Sequence, residues 1–242
     1  MMHKIWIITQ RELASFFDSL TAYVMIILFL ALSGIFTWLV GSNIFLTGQA
    51  SLDVFFGIAF WSLFFFIPAI TMRMIAEENR AGTIELLITK AVTDTQIVLG
   101  KFLASLLLVA IALACTLPYY VTVSQLGNVD DGAVIGGYAG LLLLSAAYIS
   151  IGLFASSLTT NQIVAFLVAL FISIFFHLLF DVIGSSFTGM MGGFFSYLSI
   201  RSHFDSISRG VVDSRDLVFF LSVILLGLLL AQTMLSKRNW QS

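Results

Sequence analysis

His177 and Asp181 lie four residues apart inside an otherwise apolar run, so on a helix they share one face. An imidazole beside a carboxylate could relay a proton, and ionisable groups at membrane depth mark function by default. As metal ligands they are too few, since a zinc site takes three or four protein ligands. The other reading is a hydrogen-bonded pair that only joins helices. The second concentration of chemistry is Met72–Lys101, MRMIAEENRAGTIELLITKAVTDTQIVLGK, with Arg73, Glu77, Glu78, Arg80, Glu85, Lys90, Asp94 and Lys101. A stretch so charged between two apolar runs belongs in water. Gly82 interrupts it, and Thr83 can cap a short helix over Thr83–Thr89. Ile84, Leu87 and Ile88 share one face of that helix, beside Glu85 and the Glu77–Glu78 pair. An apolar stripe with acidic neighbours suits docking on another protein, or it anchors the loop in the membrane interface.

Other chemistry is missing from the sequence. The only Gly-Lys pair, Gly100–Lys101, has Thr95 where the first glycine of a phosphate-binding loop would stand and Phe102 in place of the hydroxyl residue. H-E-x-x-H, C-x-x-C and G-x-S-x-G do not occur. No series of intramembrane charges lines a path for ions, and no inverted repeat is visible, which points away from a channel or an ion-driven carrier. Energy must then come from another chain. Cys115, the single cysteine, has no internal disulfide partner and is expected to be a small core residue.

The elements that carry these residues follow from composition. The 242 residues are 60% hydrophobic and 10% charged, with 24 Phe and 2 Pro, whereas soluble domains carry about 25% charged residues. This composition indicates an all-α polytopic membrane protein, read as one transmembrane domain over 1–242. Six runs can each cross a hydrocarbon core of about 30 Å: 20–40, 54–74, 97–121, 133–156, 163–185 and 216–236. Thr93 with Gln96 and Thr159 with Gln162 form capping-box patterns before the third and fifth, and Asp213 with Asp216 a weaker one before the sixth. Pro68 and Pro118 should bend their spans.

Residues 3–19 form an amphipathic helix suited to the membrane interface. Ile5, Trp6, Leu13, Phe16 and Phe17 gather on one side and Lys4, Arg11, Ser15 and Asp18 on the other. Met1–Asp18 is too charged for a cleavable signal. Residues 186–215 begin Gly-rich and apolar and then turn polar, which suggests external re-entrant or interfacial short helices before the last span. Eight basic residues (Lys4, Arg11, Arg73, Arg80, Lys90, Lys101, Lys237 and Arg238) fall on the side of the termini and three (Arg201, Arg209 and Arg215) on the other, so both termini are expected in the cytoplasm.

The run AITMRMIAEENRAGTIELLITKAVTDTQIVLGKFLA resembles the loop after the second span of ABC-2-type transporter permeases. RELASFFDS, SQLGN, SLTTNQIVAF and SHFDSISRGVVDSRDLVFFLSV extend the likeness along the chain, in particular to the gliding-motility-associated ABC permease subunit. The resemblance implies a coupling helix over about 77–89, with Glu77, Glu78, Arg80, Gly82, Thr83, Glu85, Leu86 and Leu87 meeting an ATPase. It maps the interfacial helix to 3–19, with Trp6, Arg11, Glu12, Leu13 and Phe17. It also implies a cytosolic ABC ATPase dimer that holds ATP and magnesium, a second permease subunit of the same or a different kind, and residence in a bacterial inner membrane. No cofactor or metal on this chain and no nucleic-acid partner are expected. The rival reading is a non-transporting scaffold that passes ATP-driven motion to a periplasmic partner. An intramembrane enzyme using His177 and Asp181 is the third class.

Overall fold

In hydrocarbon, backbone N–H and C=O groups find partners only within the segment, so apolar runs of this length must be helical. The computed structural model describes residues 2–40, 48–82, 93–211 and 213–238, and no strand occurs among them. The first helix, α1 (Met2–Asp18), turns at Ser19 into α2 (Leu20–Trp38). Then come α3 (Asp53–Thr71), the short α4 (Ala76–Ala81) and α5 (Asp94–Ala114). After these follow α6 (Leu117–Leu126) and the unbroken α7 (Asp131–Ser157). A π-helical turn over Phe175–Leu179 joins α8 (Gln162–Ile174) to α9 (Phe180–Ser186). Two short helices, α10 (Met190–Leu198) and α11 (Ile200–Ser208), precede α12 (Ser214–Arg238). Among the described residues, six stretches are long and apolar enough to cross a membrane: Leu20–Trp38, Asp53–Ala81, Asp94–Leu126, Asp131–Ser157, Gln162–Ser186 and Ser214–Lys237.

Local chemistry sets the ends. Thr93 and Gln96 form the reciprocal capping box at the start of α5. The Thr159–Gln162 box does not form, because Gln162 is already the first helical residue. Asn161 is the cap instead, its Oδ1 accepting from Ile163 N at 2.9 Å. Asp213 caps α12 through Arg215 N at 2.9 Å, but Asp216 turns inward to His203. α3 runs through Pro68 as far as Thr71, and its break lies beyond the proline, at 72–75. The third span breaks at Cys115 and Thr116, just before Pro118 in the first turn of α6. Cys115 is exposed, not in the core, because the break turns it outward.

α7 occupies the centre of the bundle. Of its most apolar window 78% is buried, against 22–28% for α2, α8–α9 and α12. Small residues make this possible, since they let neighbouring backbones approach closely. A Cβ at Gly137 would overlap the Phe56 ring, one at Gly152 the Thr71 side chain, and one at Gly227 on α12 the Ser150 side chain. Against this core α1 lies along the start of α5, and Ser236 near the end of α12 donates to Asp94 Oδ2 at 2.8 Å. The N-terminal helix, α4, the start of α5 and the end of α12 therefore share one end of the bundle, the near end. At the far end α10 and α11 fold back against α7, α9 and α12.

Gly152→Ala is expected to destabilise the fold by about 1–3 kcal/mol through overpacking, with Thr71→Ala relieving most of that loss in the double variant. Thermal unfolding of the four proteins in one detergent measures both terms.

Candidate functional site

The near end gathers charge where the membrane surface must lie. Lys101 sits two turns into α5, 1% exposed, so its ammonium is out of bulk water and must be surrounded by opposite charge. Glu78 Oε1 on α4 lies 2.8 Å from its Nζ, and Glu12 Oε1 on α1 lies 3.3 Å away. Arg11 reaches across from the exposed side to Glu12 at 2.5 Å and to Glu78 at 3.5 Å. The cluster ties three elements that are far apart in sequence. Below it Thr9 Oγ1 donates to Gly100 O at 3.2 Å, and Ile8 packs where a side chain on Gly100 would stand. Burial alone would raise the Glu12 carboxyl, but Lys101 and Arg11 outweigh it and hold the group below its ordinary value of 4.5.

Two further contacts fix the bend between α3 and α4. Arg73 Nη2 donates to Ser19 Oγ at 3.0 Å, and its guanidinium stands 5.8 Å from the centre of the Phe16 ring. Ser156, near the end of α7, accepts from Ile75 N at 3.1 Å and Ala76 N at 3.0 Å and donates to Met72 O at 2.9 Å. The segment that leaves the bundle at 72–82 is therefore clamped by α1, α2, α5 and α7.

The structure separates the residues that the sequence groups together. Glu77, Arg80 and Gly82 are exposed, and Gly82 ends α4 in the left-handed conformation at φ +67°. Glu78 turns inward to Lys101, and Lys101 itself is buried rather than in water. Thr83, Ile84, Glu85, Leu86, Leu87, Ile88 and Lys90 lie outside the described residues. On α1 the buried face is Ile8, Thr9 and Phe16, with Leu13 and Phe17 partly buried beside it, whereas Trp6 and Arg11 are exposed. The helix is turned so that Ile8 fills the space above Gly100.

His177 and Asp181 do not pair. The π-helical turn adds a residue to the helical repeat, which takes the two side chains apart. His177 Nδ1 lies 2.6 Å from the Tyr148 hydroxyl, and the ring stacks between Phe60 at 4.3 Å and Phe64 at 4.4 Å. Asp181 instead stands 4.0 Å from Arg201 Nε. Among the described residues no group of three or more His, Cys, Asp or Glu could hold a metal. At the far end His203 is buried, with Nδ1 2.6 Å from Asp216 Oδ1, Nε2 2.8 Å from Tyr197 O and its ring 4.1 Å from Phe219. This contact clasps α11 to α12.

Sequence reasoning missed Ser156, Ser19 and the His203–Asp216 clasp. A lone serine in a small-residue helix carries no signal of its own. Lys101 carried one: a lysine seven residues past a helix start, followed at once by Phe102 and Leu103.

Lys101→Met should cost about 2–4 kcal/mol by leaving two carboxylates with only the exposed Arg11 as a cationic partner, whereas exposed Arg11→Ala should cost about 0–1 kcal/mol. Chemical unfolding of both variants decides. Because Glu12 ionises more readily in the fold than in the unfolded chain, its contribution is complete above its ordinary value of 4.5 and is lost as the pH falls below it. The melting temperature should therefore drop more steeply between about pH 5 and pH 3 in the wild type than in Glu12→Gln.

The family model described as ABC-2 family transporter protein matches residues 9–238. No curated protein matches the chain.

Proposed function

The chain belongs to the ABC-2 family of transporter proteins, and from that premise we propose that it is the permease subunit of a gliding-motility-type ATP-binding cassette system. Membership makes it a multi-pass membrane subunit rather than the ATPase and implies an ABC ATPase and a permease as partners. In this reading the near end faces the cytoplasm of a bacterium, in keeping with the excess of Lys and Arg on that side. The cytosolic ATPase dimer binds ATP and magnesium and docks on the segment from Glu77 to Thr89. Glu77, Arg80 and Glu85 supply charge to that contact, and Leu86 and Leu87 the apolar surface.

The observation that carries the reading is the clamp at 72–82. A surface loop with no mechanical task needs no buried ammonium, yet Lys101 and Glu78 lock this one to α5 and α1. Closure of the ATPase dimer pulls on the loop. The clamp passes that displacement to α1 through Glu12, to the α1–α2 turn through Arg73 and Ser19, and to α3 and α5 through the chain itself. The helices exchange one packing for another, and the pathway or the far surface changes state.

Glu85→Lys or Leu87→Asp should reduce co-purification of the ATPase by about tenfold or more while leaving the melting temperature of the permease unchanged. ATPase recovery equal to wild type with both variants would overturn the assignment.

A further inference from the structure

Ser156 uses the whole capacity of a hydroxyl, one proton donated and two accepted. It is fully buried, as are Ile75 and Ala76, whose N–H groups it receives. α4 has no capping side chain of its own, so its first turn is capped by a residue from another helix, 80 positions away. Ser156 is also the last member of a row. Every fourth residue of α7 from Gly136 onward makes a close or buried contact: Gly136, Gly140, Leu144, Tyr148, Gly152 and Ser156. At the near end Gly152 is pressed on Thr71, and Ser156 holds the bend at 72–76. In the middle Tyr148 meets His177. At the far end the places of side chains on Gly136 and Gly140 are taken by Ile207 O, Gly210 and the Phe204 ring, all in α11 or just beyond it. From Gly136 to Ser156 the row rises about 30 Å, the thickness of the hydrocarbon core.

We propose that Ser156 is the positioning residue that couples the 72–82 segment to α7, and that α7 carries displacement of that segment to the far-end helix α11. The inference rests on the proposed function for what moves the segment. The link itself lies within this chain. A helix buried along its length transmits force as a unit, because tightly packed neighbours shift between discrete arrangements rather than deforming. The input then reaches the far end through the bundle centre, not only through the spans that are covalently attached to the loop.

The test is amide hydrogen exchange on the full chain in lipid nanodiscs, without any partner. Ser156→Ala should speed exchange in 72–82 by about tenfold and in 200–208 by about threefold or more, with 94–114 unchanged and the melting temperature lowered by the loss of three buried hydrogen bonds. Ser156→Thr keeps the hydroxyl and should restore wild-type exchange at both places. Unchanged exchange at 200–208 in Ser156→Ala overturns the proposal, as does Ser156→Thr behaving like Ser156→Ala. Coupling is reciprocal, so Gly136→Ala, whose added methyl pushes Ile207 and Gly210 off α7, should speed exchange at 72–82 and serves if Ser156→Ala does not fold. Wild-type exchange at 72–82 in that variant also overturns the proposal. An ATPase that fails to co-purify with the wild-type chain defeats the proposed function instead, a separate measurement from the exchange pattern.

Discussion

An ammonium taken out of water must be met by carboxylates, and that requirement organises the near end of this molecule. Lys101 is buried on α5, so α1 has to bring Glu12 and α4 has to bring Glu78. Once both are in place, α1 can no longer lie freely on the membrane. Ile8 seats over Gly100, Thr9 bonds to its carbonyl, and the chain turns at Ser19 into α2 at a fixed angle. The same placement of α4 puts Arg73 within reach of Ser19 and Met72 within reach of Ser156. Apolar burial sets which face of α1 turns inward, and the desolvated charge fixes where α1 and α4 sit on α5.

The two ends of the bundle use different means to hold short helices. At the near end the clamp is ionic and partly wetted through Arg11, so it can respond to proton concentration and to contact with another protein. At the far end α11 is held by shape, with glycines of α7 against Ile207 and Phe204, by the exposed Arg201–Asp181 pair, and by one imidazole that also reaches α10 through the Tyr197 carbonyl. Between them α7 offers small residues on nearly every side, which is why it can touch so many partners without losing its helix.

Much of this architecture was legible in the residues. Runs of about 20 apolar residues admit one structure in hydrocarbon, so six helices could be read directly. Pro118 located the break in the third span, and Thr93 with Gln96 the start of α5. The apolar start of residues 186–215 is too short and too broken by glycine to cross, and the segment folds as two short helices. What stayed hidden depends on contacts between distant positions. Lys101 looks like one more loop charge until Glu12 and Glu78 are seen on either side of it. A helix of regular pitch would pair His177 with Asp181, and a π-helical turn leaves no mark in composition. Ser156 is one small residue among many. The apolar stripe of 84–88, which the sequence singles out, lies outside the described residues.

The distance along the chain between Glu12 and Lys101 also bears on how the protein is made. α1 leaves the ribosome before α5, and the lysine that receives it comes 89 residues after Glu12. At about 5–20 residues per second the wait is roughly 4–18 s. Through that interval the nascent N-terminal helix can only rest on the lipid surface, with its ionic groups hydrated. It docks when the third span enters the bilayer, and the near end is completed later, when α7 brings Ser156 to the bend at 72–76 and α12 brings Ser236 to Asp94.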